Sequence, residues 1–187
     1  NPLGVGLLDT CTVLVEDDFE DPERTNNWFE GRSSRSDVRI GEGVYEVVLA
    51  DASVSDEAVS WGSLRGVEFD EARVEAVVSA RLFTDDSSRT GLWVHYQDES
   101  NFMALMLRGD GFFRVAVFVE NEYIDLQSWT FSEAIITGDD EKNTIRIDMN
   151  NDVYEFFING EYVTGLADDT FEGGRIAFWG ASAETPT

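Results

Sequence analysis

A period of two runs through almost the whole chain, and it constrains the fold more than any other feature. Between positions 73 and 83, Val74, Ala76, Val78, Ala80 and Leu82 fall on one side, and Glu75, Ser79 and Arg81 on the other. Between 144 and 149, Ile145, Ile147 and Met149 alternate with Arg146 and Asp148. Strands with one apolar and one wet face belong to antiparallel sheets. The three- and four-residue spacing of an amphipathic helix is nearly absent.

Turn chemistry agrees. Asn159-Gly160 separates the apolar runs 154–158 and 161–163. An Asn-Gly pair suits a type I′ hairpin turn, which needs positive φ at both central residues. Asp110-Gly111 is expected to join 102–108 to 112–119 in the same way, and Asn121-Glu122 to turn the chain into 123–127. Gly173-Gly174 precedes the last apolar run, 175–179. About a dozen short strands at this spacing predict a sandwich or barrel. Acidic clusters fall between them: Asp85-Asp86, Asp139-Asp140-Glu141 and Asp168-Asp169.

A chain of 187 residues fits one domain with a sizeable core. The reading divides it into an arm, 1–11, and a sandwich domain, 12–187. Acidic residues number 38 against 13 basic ones, for a formal charge of -25, and Lys142 is the only lysine. Such a surface repels nucleic acid and anionic headgroups and attracts cations. Cys11 is the only cysteine, which excludes a disulfide within the chain. No run approaches the ~18 apolar residues of a membrane span.

Several segments together resemble a known family. They are Asp17-Asp18-Phe19 with Trp28, Gly43-Val44-Tyr45, Phe69-Asp70 with Arg73-Val74-Glu75-Ala76, 91–98 with Asn101-Phe102, 156–160, and Gly174-Arg175-Ile176-Ala177-Phe178. Over about 13–180 the chain is similar to the concanavalin A-like, LamG-type jelly rolls of bacterial surface and secreted proteins. The resemblance implies an all-β, antiparallel jelly-roll β-sandwich and an extracellular or cell-surface location. Its members bind carbohydrate or adhere, and a related branch hydrolyses modified disaccharides. Such domains close with a further strand after the Gly-Arg-Ile run, and no such strand follows here. The apolar segment 3–8 is a candidate for a donated strand.

Candidate chemistry follows from residue type. Sugar recognition uses exposed aromatic faces with planar polar groups that fork hydrogen bonds. Trp61, Trp93, Tyr123 and Trp129 are the aromatic candidates, and Arg108 and Arg114 the forks. His95 is the only histidine, so a His-rich zinc site is excluded. Strict alternation puts His95 on the face of Trp93, opposite Leu92, Val94 and Tyr96. Asp139, Asp140, Asp168 and Asp169 are candidate ligands for Ca²⁺, since a divalent cation relieves repulsion between adjacent carboxylates. Glycoside hydrolysis needs two carboxylates flanking the scissile bond. The nearest segment, Glu68-Phe69-Asp70-Glu71, lacks the Glu-x-Asp-x-x-Glu spacing of the concanavalin A-like glucanases. The sequence reading is therefore a module with no enzymatic role that binds a glycan or adheres. The alternatives are a structural subunit that assembles with its own copies through strand donation and cation bridges and, third, a glycoside hydrolase.

Overall fold

The computed structural model describes residues 12–21, 27–33, 36–49, 58–81 and 83–182. These form thirteen strands: β1 (Gly31–Arg32), β2 (Ser36–Gly41), β3 (Val44–Leu49), β4 (Ala58–Ser63), β5 (Ala72–Val78), β6 (Ser88–Asp98), β7 (Asn101–Arg108), β8 (Phe112–Val119), β9 (Glu122–Phe131), β10 (Asn143–Asn150), β11 (Val153–Ile158), β12 (Glu161–Ala167) and β13 (Arg175–Ser182). No helix occurs among the described residues. The arm 1–11, with Cys11 and the candidate donor segment 3–8, lies outside them, as does 50–57.

Three antiparallel sheets build the sandwich. One has six strands in the order β4-β13-β6-β7-β8-β9, one has four in the order β12-β11-β10-β5, and one has three in the order β1-β2-β3. The core lies between the six- and four-stranded sheets. Leu92, Val94, Met103, Leu105, Leu107, Val115 and Val117 enter it from one side, and Val74, Ile145, Ile147, Tyr154, Phe156 and Ile158 from the other. The three-stranded sheet covers the β4–β13 end. There Tyr45 joins Phe19, Trp28 and Phe178 in an aromatic cluster with centroids 5.2 to 6.5 Å apart. Gly62 on β4 permits this approach, because a Cβ there would sit 1.7 Å from the Tyr45 hydroxyl. That hydroxyl donates to the Phe29 carbonyl at 2.6 Å.

The hairpins follow the expected dipeptides with two changes. Asn159 and Gly160 both have positive φ between β11 and β12, as type I′ requires. Between β7 and β8 the loop has three residues, Gly109-Asp110-Gly111, with only Gly111 at positive φ and its N–H bonded to the Arg108 carbonyl at 3.0 Å. The turn into β9 uses Glu120 and Asn121, one residue earlier than expected, both left-handed. The Gly-Arg-Ile run, after which a further closing strand was expected and not found in the sequence, forms β13. It lies inside the sheet with β4 on one side and β6 on the other, so both its edges are hydrogen-bonded.

Candidate functional site

The outer face of the six-stranded sheet, turned away from the core, is apolar. Trp61 from β4, Trp93 from β6, Phe102 from β7, Phe118 from β8 and Trp179 from β13 pack there around Ala104, Met106, Ala116 and Ala177 as a second cluster in which Trp93, Phe102 and Trp179 are buried and Trp61 and Phe118 half-buried. Register sets the neighbours: Trp179 lies directly opposite Trp61, and Trp93 lies between Ala177 and Ala104. Trp93 stacks on Phe102 with centroids 3.9 Å apart, and packs on Trp61 at 5.3 Å and Trp179 at 6.0 Å. Trp61 donates its indole N–H to the Tyr96 hydroxyl at 3.2 Å. The indole N–H groups of Trp93 and Trp179 are enclosed and have no hydrogen-bond partner among the described residues. A buried Trp normally finds one, and each orphaned donor costs about 1–3 kcal/mol.

Arginines rim this face toward β9. The Arg108 guanidinium lies 4.8 Å from the Trp129 ring and 4.8 Å from that of Phe112, and makes two 2.7 Å hydrogen bonds to Asp110. Arg114 lies 6.0 Å from Trp129 and 5.0 Å from Tyr123, and donates Nε–H to Asp125 at 2.6 Å. Tyr123 is exposed and packs on Phe118 at 4.5 Å. Five of the sequence candidates, Trp61, Trp93, Arg108, Arg114 and Tyr123, therefore share one face with Trp129. Tyr96, Phe102, Phe118 and Trp179 join them without having been singled out. For Phe102, Phe118 and Trp179 the signal lay in the nearly unbroken apolar runs 102–107, 115–119 and 176–179, which fit strands buried on both sides.

His95 does not join them, and the expectation that it shares a face with Trp93 is corrected. A β-bulge interrupts β6: the ladder to β7 slips between Val94 and Asp98, and that to β13 slips between Arg175 and Ala177. His95 takes a left-handed φ of 51° within it. The bulge reverses the alternation, so the His95 ring turns into the sandwich. There Nδ1 meets the Gly173 carbonyl at 2.9 Å and Nε2 meets the Tyr154 hydroxyl at 3.0 Å. Tyr96 moves to the outer face and stacks toward Trp93 at 5.8 Å. Gly174 is needed beside the bulge, since a Cβ there would lie 2.6 Å from the His95 backbone.

The candidate calcium ligands stay apart from this face. Asp139 and Asp140 occupy the loop before β10, where Asp140 comes within 3.9 Å of Arg81. Asp168 caps the turn after β12 by accepting from the Thr170 N–H and hydroxyl, each at 3.1 Å. Among the described residues no three His, Cys, Asp or Glu side chains gather as a metal site. Phe69, in the segment compared with glucanases, is buried, and its N–H bonds the Gly174 carbonyl at 2.7 Å.

No protein-family model matches the sequence, and no curated protein matches it significantly. Solved structures do match the fold. The carbohydrate-binding module CBM66 from Bacillus subtilis superposes with a TM-score of 0.65 at 9% identity, covering 85% of this chain and 92% of that one. A Bacteroides ovatus glycoside hydrolase family 16 endo-glucanase gives 0.60 at 11% identity, covering 91% and 86%. The Bacillus licheniformis β-glucanase gives 0.56 at 11%, covering 89% and 83%. The domain is thus a concanavalin A-like jelly-roll sandwich. The expectation of no enzymatic role is overturned here. Glycoside hydrolases share this scaffold over about nine-tenths of the chain, so the fold hosts cleavage as well as binding.

Among the described residues no helix is long and apolar enough to cross a membrane.

Proposed function

We propose that the outer face of the six-stranded sheet binds carbohydrate, outside the cell or at its surface. The observation that carries this reading is the aromatic platform itself. An outward sheet face in water is ordinarily polar. This one is aromatic: Trp93, Phe102 and Trp179 form a buried floor, and the half-buried Trp61, Phe118 and Trp129, with two arginine forks at the rim, are the part a sugar can reach. Aromatic rings bury the apolar faces of sugars, and guanidinium N–H groups held rigid by Asp110 and Asp125 are preorganised to bond hydroxyl oxygens. The likeness to a carbohydrate-binding module over 85% of the chain supports the reading.

The test is a glycan panel titrated into the protein with tryptophan fluorescence as the readout. A saturable change that is lost in Trp93→Ala, with the variant still folded by circular dichroism, is the expected result. Glycan binding that leaves fluorescence untouched and survives Trp93→Ala would place the site elsewhere. Reducing ends measured in the same mixtures report whether a bound glycan is cut.

A further inference from the structure

Apart from Trp61 on β4, the rings of this face that lie open gather on the hairpin of β8 and β9, at one edge of the six-stranded sheet. Tyr123 and Phe131, near the two ends of β9, are exposed at 46% and 58%. Between them guanidinium groups space the rings. Arg114 lies 5.0 Å from Tyr123 and 6.0 Å from Trp129, and Arg108 lies 4.8 Å from Trp129 and 4.8 Å from Phe112. Phe112 meets Phe131 edge-on at 5.6 Å. Register puts Tyr123 opposite Phe118 and Phe131 opposite Phe112, so the strip runs along the strands for about 20 Å, longer than one sugar ring.

The charges on this strip cancel. Arg108 is tied to Asp110 and Arg114 to Asp125, in a chain whose net charge is -25. The two arginine side chains are 19% exposed, against 30% for Asp110 and 37% for Asp125. The charged groups most open to a ligand are therefore carboxylates, which only accept.

We propose that this hairpin strip selects a neutral glycan, an oligosaccharide of several pyranose units that carries hydroxyls and no acidic group. The rings cover the apolar faces of the sugars, and sugar hydroxyls donate to Asp110 and Asp125. A uronate or sulfate brings only acceptors and a negative charge to the same carboxylates. The net charge also opposes a second copy of this acidic chain on the strip. Trp93 supports the strip from beneath, through Phe102, which packs on Phe118 at 5.1 Å and on Tyr123 at 6.3 Å. The inference rests on the carbohydrate-binding reading of the six-stranded face.

The experiment is calorimetric titration of the full chain. The ligands are cellohexaose, laminarihexaose and mannohexaose, the shorter members of each series down to the disaccharide, and hexagalacturonate as the acidic counterpart. At least one neutral hexaose is expected to bind, with affinity falling as it is shortened, and hexagalacturonate to give no signal. Tyr123→Ala and Phe131→Ala truncate exposed rings, and each is expected to weaken that binding about tenfold. Tyr162→Ala, on an exposed ring of β12 in the other sheet, is expected to leave it unchanged. Hexagalacturonate binding as tightly as the neutral hexaose would overturn the selection while the glycan face stands. A loss seen in Trp61→Ala and in neither hairpin variant would overturn the strip and likewise leave the glycan face. Silence from every ligand, with no glycan of the wider panel binding, would remove the carbohydrate reading itself.

Discussion

The two outward faces of the sandwich began from the same alternation and ended with opposite chemistry. On the four-stranded sheet the outward positions carry charge. Arg73 clamps Asp148 at 2.7 and 2.9 Å, Arg146 lies 3.4 Å from the same carboxylate, and the Arg146 guanidinium covers the Phe157 ring at 3.6 Å. On the six-stranded sheet the corresponding positions carry tryptophan, phenylalanine and alanine. On the first face the charges of Arg73 and Arg146 converge on Asp148, while Glu155 Oε1 on β11 is buried with no hydrogen-bond partner among the described residues. The second packs its aromatics into a buried cluster and leaves two indole donors enclosed there without a partner among the described residues. The difference between them is charge on one face against packed aromatic rings on the other, and it is the second that the proposed function uses.

The sharpest way to break the comparison is Trp93→Ala. It removes contacts to Trp61, Tyr96, Phe102 and Trp179, and a loss of about 3–5 kcal/mol is expected in denaturant unfolding together with loss of glycan binding. Should binding persist, the two faces do not differ in function.

His95→Leu comes next. It strands the Tyr154 hydroxyl and the Gly173 carbonyl inside the sandwich, so about 2–3 kcal/mol should be lost. Glycan affinity should hold, because His95 faces the core. A selective loss of binding with intact stability would return His95 to the outer face.

Asp148→Asn tests the charged face. It weakens the clamp on Arg73 and leaves Arg146 short of a carboxylate, at a cost of about 1–2 kcal/mol in thermal unfolding and none in glycan affinity.

The smallest effect concerns alkaline pH. Burial, then the charges of Asp168, Asp152 and Asp70, push the Tyr154 phenol from 10.0 up to about 12. Burial also raises Tyr45, with Glu30 adding to it. A raised phenol favours the protonated folded state, so its contribution is complete below pH 10 and is lost as pH climbs toward the folded value. Each tyrosine steepens the fall in stability over that window by up to about 1.4 kcal/mol per pH unit. Tyr154→Phe, followed by unfolding at pH 9 and pH 11, should flatten the profile.

Much of the architecture was legible because it depends on local rules. The run 144–149 kept its alternation as β10, with Ile145 and Ile147 in the core and Arg146 outside. Asn159-Gly160 formed the turn that its side chains favour. The aromatic face was half legible. Trp61, Trp93 and Trp129 drew notice as large rings, but Phe102 and Trp179 sat in runs that read equally as core. Nothing local reports that a strand is apolar on both sides for two different reasons.

By itself the sequence determined an antiparallel β domain, an acidic exterior and the set of aromatic and arginine side chains available for recognition. Those follow from side-chain period, turn preferences and counted charge, which need no neighbours. Tertiary structure alone decided which side chains meet. The bulge at His95 exchanged it with Tyr96 between the two faces of the sheet, a change of one residue in register that reverses every side chain after it. The ladders β7·β8 and β8·β9 drew Arg108, Arg114 and Trp129 together from three separate strands. Pairing between strands is a long-range choice, settled by burial of the whole sheet, and the candidate site exists only once that choice is made.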